Sequence, residues 1–132
     1  MKAPVQTVVT TPRGRDQLIN LKRQTGVAQW NILMRWAVCA SLREETPPPP
    51  AERDGSDGDR VSVDWETFAG ELNQEITAAF WMRHATEPSH GTPQGAAESF
   101  KRHLQRGLNI LEAKIEKGGA KTMLAKLVAS QA

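Results

Sequence analysis

Arginine and lysine are the side chains in this sequence whose grouping suggests a chemistry. Lys22 and Arg23 are adjacent on one helical pattern, and Arg35 lies on the next. Arg13 and Arg15 stand just ahead of the first of these patterns, where the unpaired amides of a helix start favour an anion. Lys101, Arg102 and His103 form a second group with Arg106, which is one helical turn from Arg102. Fixed cations in such number make phosphate contacts that are tolerant of sequence and sensitive to salt. The competing explanation is that these are ordinary solvated helix faces or internal ion pairs. Charge segregation favours phosphate. Residues 1–43 carry a net +6, residues 44–75 a net −8 and residues 76–132 a net +4, so a formal total of only +2 conceals two basic blocks.

Other chemistries find little footing. There is no GxxxxGK[ST] phosphate loop and no GxSxG elbow. His84, His90 and His103 are not at metal-site spacing, and one cysteine cannot build a thiolate cage. His84 and His90 fall in a polar stretch, where solvated imidazoles are expected. Asp54, Asp57 and Asp59 lack the flanking helices and terminal glutamate of a calcium loop. The expectation is therefore no catalytic residue, no cofactor and no metal. Cys39 sits within an apolar helical pattern and reads as a buried, inert thiol, consistent with a reducing cytoplasm. No apolar run reaches the roughly 20 residues of a membrane span, and the first residues lack a secretory apolar core. Low aromatic content argues against a single-strand stacking platform. Trp30, Trp36, Trp65 and Trp81 read as core or interface residues.

The elements that must carry these groups can be read from spacing. Val5 to Thr11 is rich in β-branched residues and reads as extended, and Pro12-Arg13-Gly14 breaks it. Leu18, Leu21 and Thr25 mark a short helix that Gly26 terminates. Trp30, Leu33, Met34, Ala37, Val38 and Leu42 mark a second helix. Residues 44–60, with four prolines and then an acidic run, read as a flexible, partly disordered loop. Asp64 then suits an N-cap, with Val63 and Phe68 as a hydrophobic staple. A third helix should align Trp65, Phe68, Ala69, Leu72, Ile76, Ala79 and Phe80. Thr92-Pro93 should start a fourth, carrying Ala97, Phe100, Leu104, Leu108, Leu111 and Ile115 and stopping at Gly118-Gly119. A weak fifth helix is expected from Ala120 to Ala129, within a tail of about 118–132. The fold class is thus a single all-α domain over 1–132, of four to five helices.

Three blocks in order resemble one family. Leu18 to Gly26 fits an L-x-x-L-K-x-x-T-G segment, and the helix after it contains Ile32-Leu33-x-Arg35-Trp36-Ala37. Val63 to Leu72 is similar to a W-x-T-F-x-G-E segment, and Phe100 to Leu111 to an F-x-x-H-L-x-R-G motif. Together, with the loops between, they span roughly Arg15 to Ile115 and resemble the DndE family of DNA sulfur-modification proteins. Ala69 departs by standing where glycine is expected. The resemblance implies a small all-α protein with a ribbon-helix-helix-like N-terminal unit. It further implies a homotetramer that binds double-stranded DNA, with preference for nicked duplex. The sulfur chemistry would belong to partner subunits: a cysteine desulfurase, an iron–sulfur protein and an ATPase.

Two rival readings remain. In a ribbon-helix-helix transcription regulator or antitoxin, Val5 to Thr11 would pair with the same strand of a dimer mate and present Gln6 and Thr10 to the major groove. In a pure protein scaffold, the basic side chains would meet acidic partners and DNA would be ignored.

Overall fold

The computed structural model describes residues 1–50 and 58–131, with side chains through residue 116. A short strand β1 (Thr7–Val9) leads into α1 (Pro12–Thr25) and α2 (Trp30–Leu42). After the loop come β2 (Ser62–Asp64), the short α3 (Trp65–Ala69) and a 3-10 turn at Gly70–Leu72. The chain ends in α4 (Asn73–His84) and the long α5 (Gly95–Gln131). The described chain is mostly helical, with one small sheet that the all-α expectation lacks. β1 and β2 pair antiparallel, with Thr7 opposite Asp64 and Val9 opposite Ser62.

Helix α1 begins at Thr11, whose hydroxyl oxygen accepts the Gly14 amide at 2.9 Å. Proline at the first helical position has no amide to leave unsatisfied. Arg13 and Arg15 therefore lie inside the first turn rather than ahead of it, and one of the amides expected to attract an anion is already capped. The helix ends at Gly26, at φ 76°, whose amide donates to the Lys22 carbonyl at 2.9 Å. That left-handed residue lets α2 turn back onto α1.

The core is one cluster. Leu18, Leu21, Leu33, Met34, Ala37, Val38, Leu108 and Leu111 are all completely buried where α1 and α2 lie on α5. Beside them Trp65, Phe68, Phe80 and Phe100 form an aromatic group with ring centroids 5.2–5.9 Å apart. The crossing of α2 on α5 is so close that a Cβ on Gly107 would fall 1.7 Å from the Ala37 carbonyl oxygen. Polar side chains lock α1 to α5 as well. Gln105 donates to Gln17 at 2.9 Å, Gln17 donates to Asn109 at 2.9 Å, and Thr11 donates to Gln105 at 3.0 Å.

Three expectations change. The single helix predicted over Trp65 to Phe80 is broken at Gly70, at φ 55° and ψ −136°, so Leu72 and Ala79 leave the core and are exposed. Gly70, the glycine of the W-x-T-F-x-G-E segment, lies against Arg35, whose Nε–H caps α3 through the Phe68 carbonyl at 2.8 Å. The fourth helix starts at Gly95 rather than Thr92, because the Thr92 hydroxyl donates backwards to the Ser89 carbonyl at 2.9 Å. It then runs through Gly118-Gly119 to Gln131, so no separate fifth helix forms. Two glycines cost a helix about 2 kcal/mol together, which the helix-forming residues on either side can offset.

The loop after α2 is also more ordered than its composition suggests. Pro48 is buried, and Arg106 holds the Thr46 and Pro47 carbonyls at 3.0 and 3.2 Å. Residues 51–57 of the expected flexible stretch, including Asp54 and Asp57, lie outside the described residues.

Candidate nucleic-acid interface

The basic side chains separate into those left facing solvent and those drawn into the fold. On α1, positions 15, 19 and 23 succeed one another by single turns, with Lys22 beside them, so Arg15, Ile19, Lys22 and Arg23 share one side of the helix. Arg23 is exposed and its guanidinium donates to Asn20 at 3.0 Å. Lys22 is half-buried, with Nζ 3.5 Å from the centroid of the Trp30 ring. This cation–π contact leaves the charge at the surface and seats its stem on the α1–α2 turn. Arg15 is half-buried and Ile19 remains 39% exposed between these cations. Arg13 is exposed on the other flank of the helix. No acidic residue lies in the first turn, so the positive end of the helix dipole is left uncompensated there.

Of the remaining candidates, Arg35 and Arg106 are used internally. Arg35 caps α3, as described above. Arg106 donates from Nε to the Ser41 hydroxyl at 2.7 Å and from Nη2 to the Ser41 carbonyl at 2.9 Å, while Nη1 reaches Thr46 and Pro47. It ties α5 to the end of α2 and to the start of the proline run. Arg102 is half-buried and borders a cavity beside those prolines. Lys101 alone of this group is well exposed, 3.8 Å from the equally exposed Glu98 carboxylate. The second basic face expected on α5 therefore reduces to Lys101. The α1 set stays together.

A buried polar network beneath Arg106 is the main feature that spacing did not predict. His84 and His103, at 2% and 0% exposure, flank the carboxylate of Glu87 at 3.4 and 3.3 Å. His84 is therefore a core residue, stacked on Phe80, and only His90 of the pair is exposed as expected. Ser99 donates to Glu87, and Ser41 Oγ lies 2.8 Å from His103 Nδ1. Because Arg106 donates to Ser41, the Ser41 proton is free to go to His103 Nδ1, leaving His103 Nε2–H for Glu87. The order serine, histidine, carboxylate resembles a nucleophile relay. Yet Ser41 is fully buried and its oxygen is already occupied by Arg106, so it is placed as a structural joint.

Burial pushes the His103 imidazole down to about 4, against the opposing pull of Glu87. A histidine whose folded value lies below its unfolded value of about 6.5 is held neutral. Its contribution to stability is complete above about pH 6.5 and is lost as pH falls through about 4. Protonation at Nδ1 would also deprive Ser41 of its acceptor. Urea midpoints should therefore fall between pH 6.5 and 4, and His103→Gln should flatten that slope. An unchanged slope in the variant would show that other groups set the acid limit. Cys39 is the opposite case: burial pushes its thiol up, with Arg35 partly opposing, which agrees with an inert cysteine.

Among the described residues, no group of three His, Cys, Asp or Glu side chains is arranged to hold a metal ion, and no helix is long and apolar enough to cross a membrane. These features define a small, mostly helical protein in which a strand–helix–helix unit is clamped to one long, glycine-notched helix. That class can be made specific: the family model described as DNA sulphur modification protein DndE matches residues 7–117, and the chain belongs to the DndE family. A crystal structure of DndE from Escherichia coli B7A, described as involved in DNA phosphorothioation modification, is 22% identical. The match covers 83% of this chain and 99% of that one, with a TM-score of 0.64. A DndE mutant in which two glycines are changed to lysine, also described as involved in DNA phosphorothioation, is 20% identical. It matches over 83% of this chain and 98% of that one, with a TM-score of 0.58. No curated protein matches the chain.

Proposed function

We propose that this chain is a non-catalytic, double-stranded-DNA-binding subunit of a cytoplasmic DNA phosphorothioation system, that it prefers nicked duplex, and that it acts as a homotetramer beside other subunits. The observation that carries this reading is the α1 edge. There Arg15, Lys22 and Arg23 share one side of a helix, with Arg13 on its flank, in a protein that belongs to a DNA-modification family. A helix edge with several fixed cations matches the regular negative charge of a duplex. Lys101 adds a second, isolated contact. Sulfur transfer is assigned to other subunits, since this chain has one cysteine and no nucleotide-binding motif.

The regulator or antitoxin alternative draws on the same strand–helix–helix order. Its groove-facing strand, however, has a partner within the chain. Thr10 is buried and its hydroxyl accepts the Val61 amide at 2.9 Å, while Val8 is 1% exposed. Of the side chains that alternative needs in the groove, Gln6 alone faces solvent.

The test is a titration of nicked and intact duplex at two salt concentrations. About four phosphate contacts predict a loss of roughly a hundredfold in affinity between about 50 and 200 mM salt. Reversing Lys22 and Arg23 to glutamate should weaken binding across all sequences and make the logarithmic salt slope shallower by about 2. A melting curve of the variant guards against loss of the Lys22–Trp30 packing. Absence of duplex binding by the intact protein at low salt would remove the proposal. Binding confined to one operator sequence would favour the regulator.

A further inference from the structure

Lys22 belongs to α1 and Trp30 to α2, yet the lysine Nζ sits 3.5 Å from the centroid of the indole ring. The turn between the helices brings them together. Gly26, at φ 76°, donates its amide to the Lys22 carbonyl at 2.9 Å. Thr25 pins the same turn twice: its hydroxyl donates to the Leu21 carbonyl at 2.7 Å and accepts the Val27 amide at 3.2 Å. Trp30 itself is half-buried and packs against the hydrophobic core. The ring is therefore fixed to the body of the protein, and its negative face holds the ammonium above it. Arg23, by contrast, is exposed and donates only along its own helix, to Asn20.

Taking the α1 edge as the phosphate contact, we propose that Trp30 is its positioning residue, ordering the Lys22 ammonium before a backbone phosphate of duplex DNA arrives. A ring beside a lysine can act with either sign. If it competes with phosphate for the ammonium, it weakens binding; if it orders the lysine, it strengthens binding. The geometry selects the second. The indole takes one side of an ammonium that carries three donors, so the other side remains for phosphate oxygens. Because the ring need not be released, the entropic cost of fixing this long side chain is met in the free protein. Trp30 also differs from the cations in kind. It carries no charge, so its loss lowers affinity at every salt concentration without changing the number of counterions released.

The test is a double-mutant cycle on the full chain with nicked duplex, read at two salt concentrations. Trp30→Leu should weaken binding about three- to tenfold and leave the logarithmic salt slope unchanged. Lys22→Gln should weaken binding and make that slope shallower by about 1. In the Lys22→Gln background, Trp30→Leu should cost less than about twofold more. Trp30→Phe, which keeps a ring, should recover most of the parent affinity. A second measurement needs no variant: in the parent chain, the ring current of Trp30 should move the Lys22 ε-methylene protons upfield, and saturating duplex should leave that shift in place. Additive losses in the cycle, or disappearance of the upfield shift on binding, would overturn the role of Trp30 while leaving the α1 edge as the DNA contact. Failure of the parent to bind duplex at low salt would remove both.

Discussion

Gly107→Ala should destabilise this protein by about 3 kcal/mol or more, and Gly107→Val should prevent folding. The added methyl of alanine would sit 1.7 Å from the Ala37 carbonyl oxygen, and the obstacle is backbone rather than a side chain that can rotate. Helices α2 and α5 would have to move apart. That would open contacts around Leu33, Ala37, Leu104 and Leu108, all at most 3% exposed. A loss of this size lowers the thermal midpoint by roughly 10 °C in a domain of this length. Gly26→Ala provides the comparison. Nothing lies within 4 Å of its Cβ position, so its cost is only the left-handed backbone at φ 76°, about 1 kcal/mol. Circular dichroism melts of the two variants distinguish the causes. Equal losses would mean that the close helix crossing is not what Gly107 provides.

Arg106→Ala should cost about 2–3 kcal/mol and free the beginning of the proline run. The guanidinium joins Ser41, Thr46 and Pro47 through contacts of 2.7–3.2 Å. Its removal leaves the buried Ser41 hydroxyl with His103 alone. Arg106→Lys should recover less than half of the loss, because a single ammonium cannot reproduce a planar fork that spans a helix end and a loop. Urea denaturation reads the energy. Hydrogen exchange at the Glu44 and Thr46 amides reads the release. If exchange is unchanged while stability falls, the loop is held by its prolines and not by Arg106.

Much of the fold was legible because it rests on periodicity. The stripes ending at Thr25, Leu42 and Ile115 correspond to helices whose buried faces match, and Gly26 announces its own turn. The misses have a common physical cause. Helical spacing reports which residues could share a face, not whether the chain stays helical between them. Trp65 to Phe80 keeps a plausible stripe across Gly70 although the backbone bends there. Polarity was similarly ambiguous. His84 and Arg106 look like surface residues in sequence, but Phe80 and Glu87, each within one helical turn, enclose the first, and Ser41 and Thr46, 65 and 60 positions away, hold the second. The candidate site was half legible for the same reason. A cation on α1 and a cation clamped at a helix crossing look alike until the crossing is known. In retrospect one signal existed: His103, Arg106 and Gly107 are at i, i+3 and i+4, so they point together toward whatever α5 packs against.

The paired strands carry an implication for how the chain tolerates change. Thr10 and Val61 meet although they are 51 positions apart, so the sheet is a suture closing a wide circuit that contains both α1 and α2. Circuit closure depends only weakly on contour: doubling a flexible span adds about 0.6 kcal/mol. A modest change in the length of the circuit therefore leaves the suture in place. Residues inserted before Thr46, on the clamped side, would pull directly on its knot.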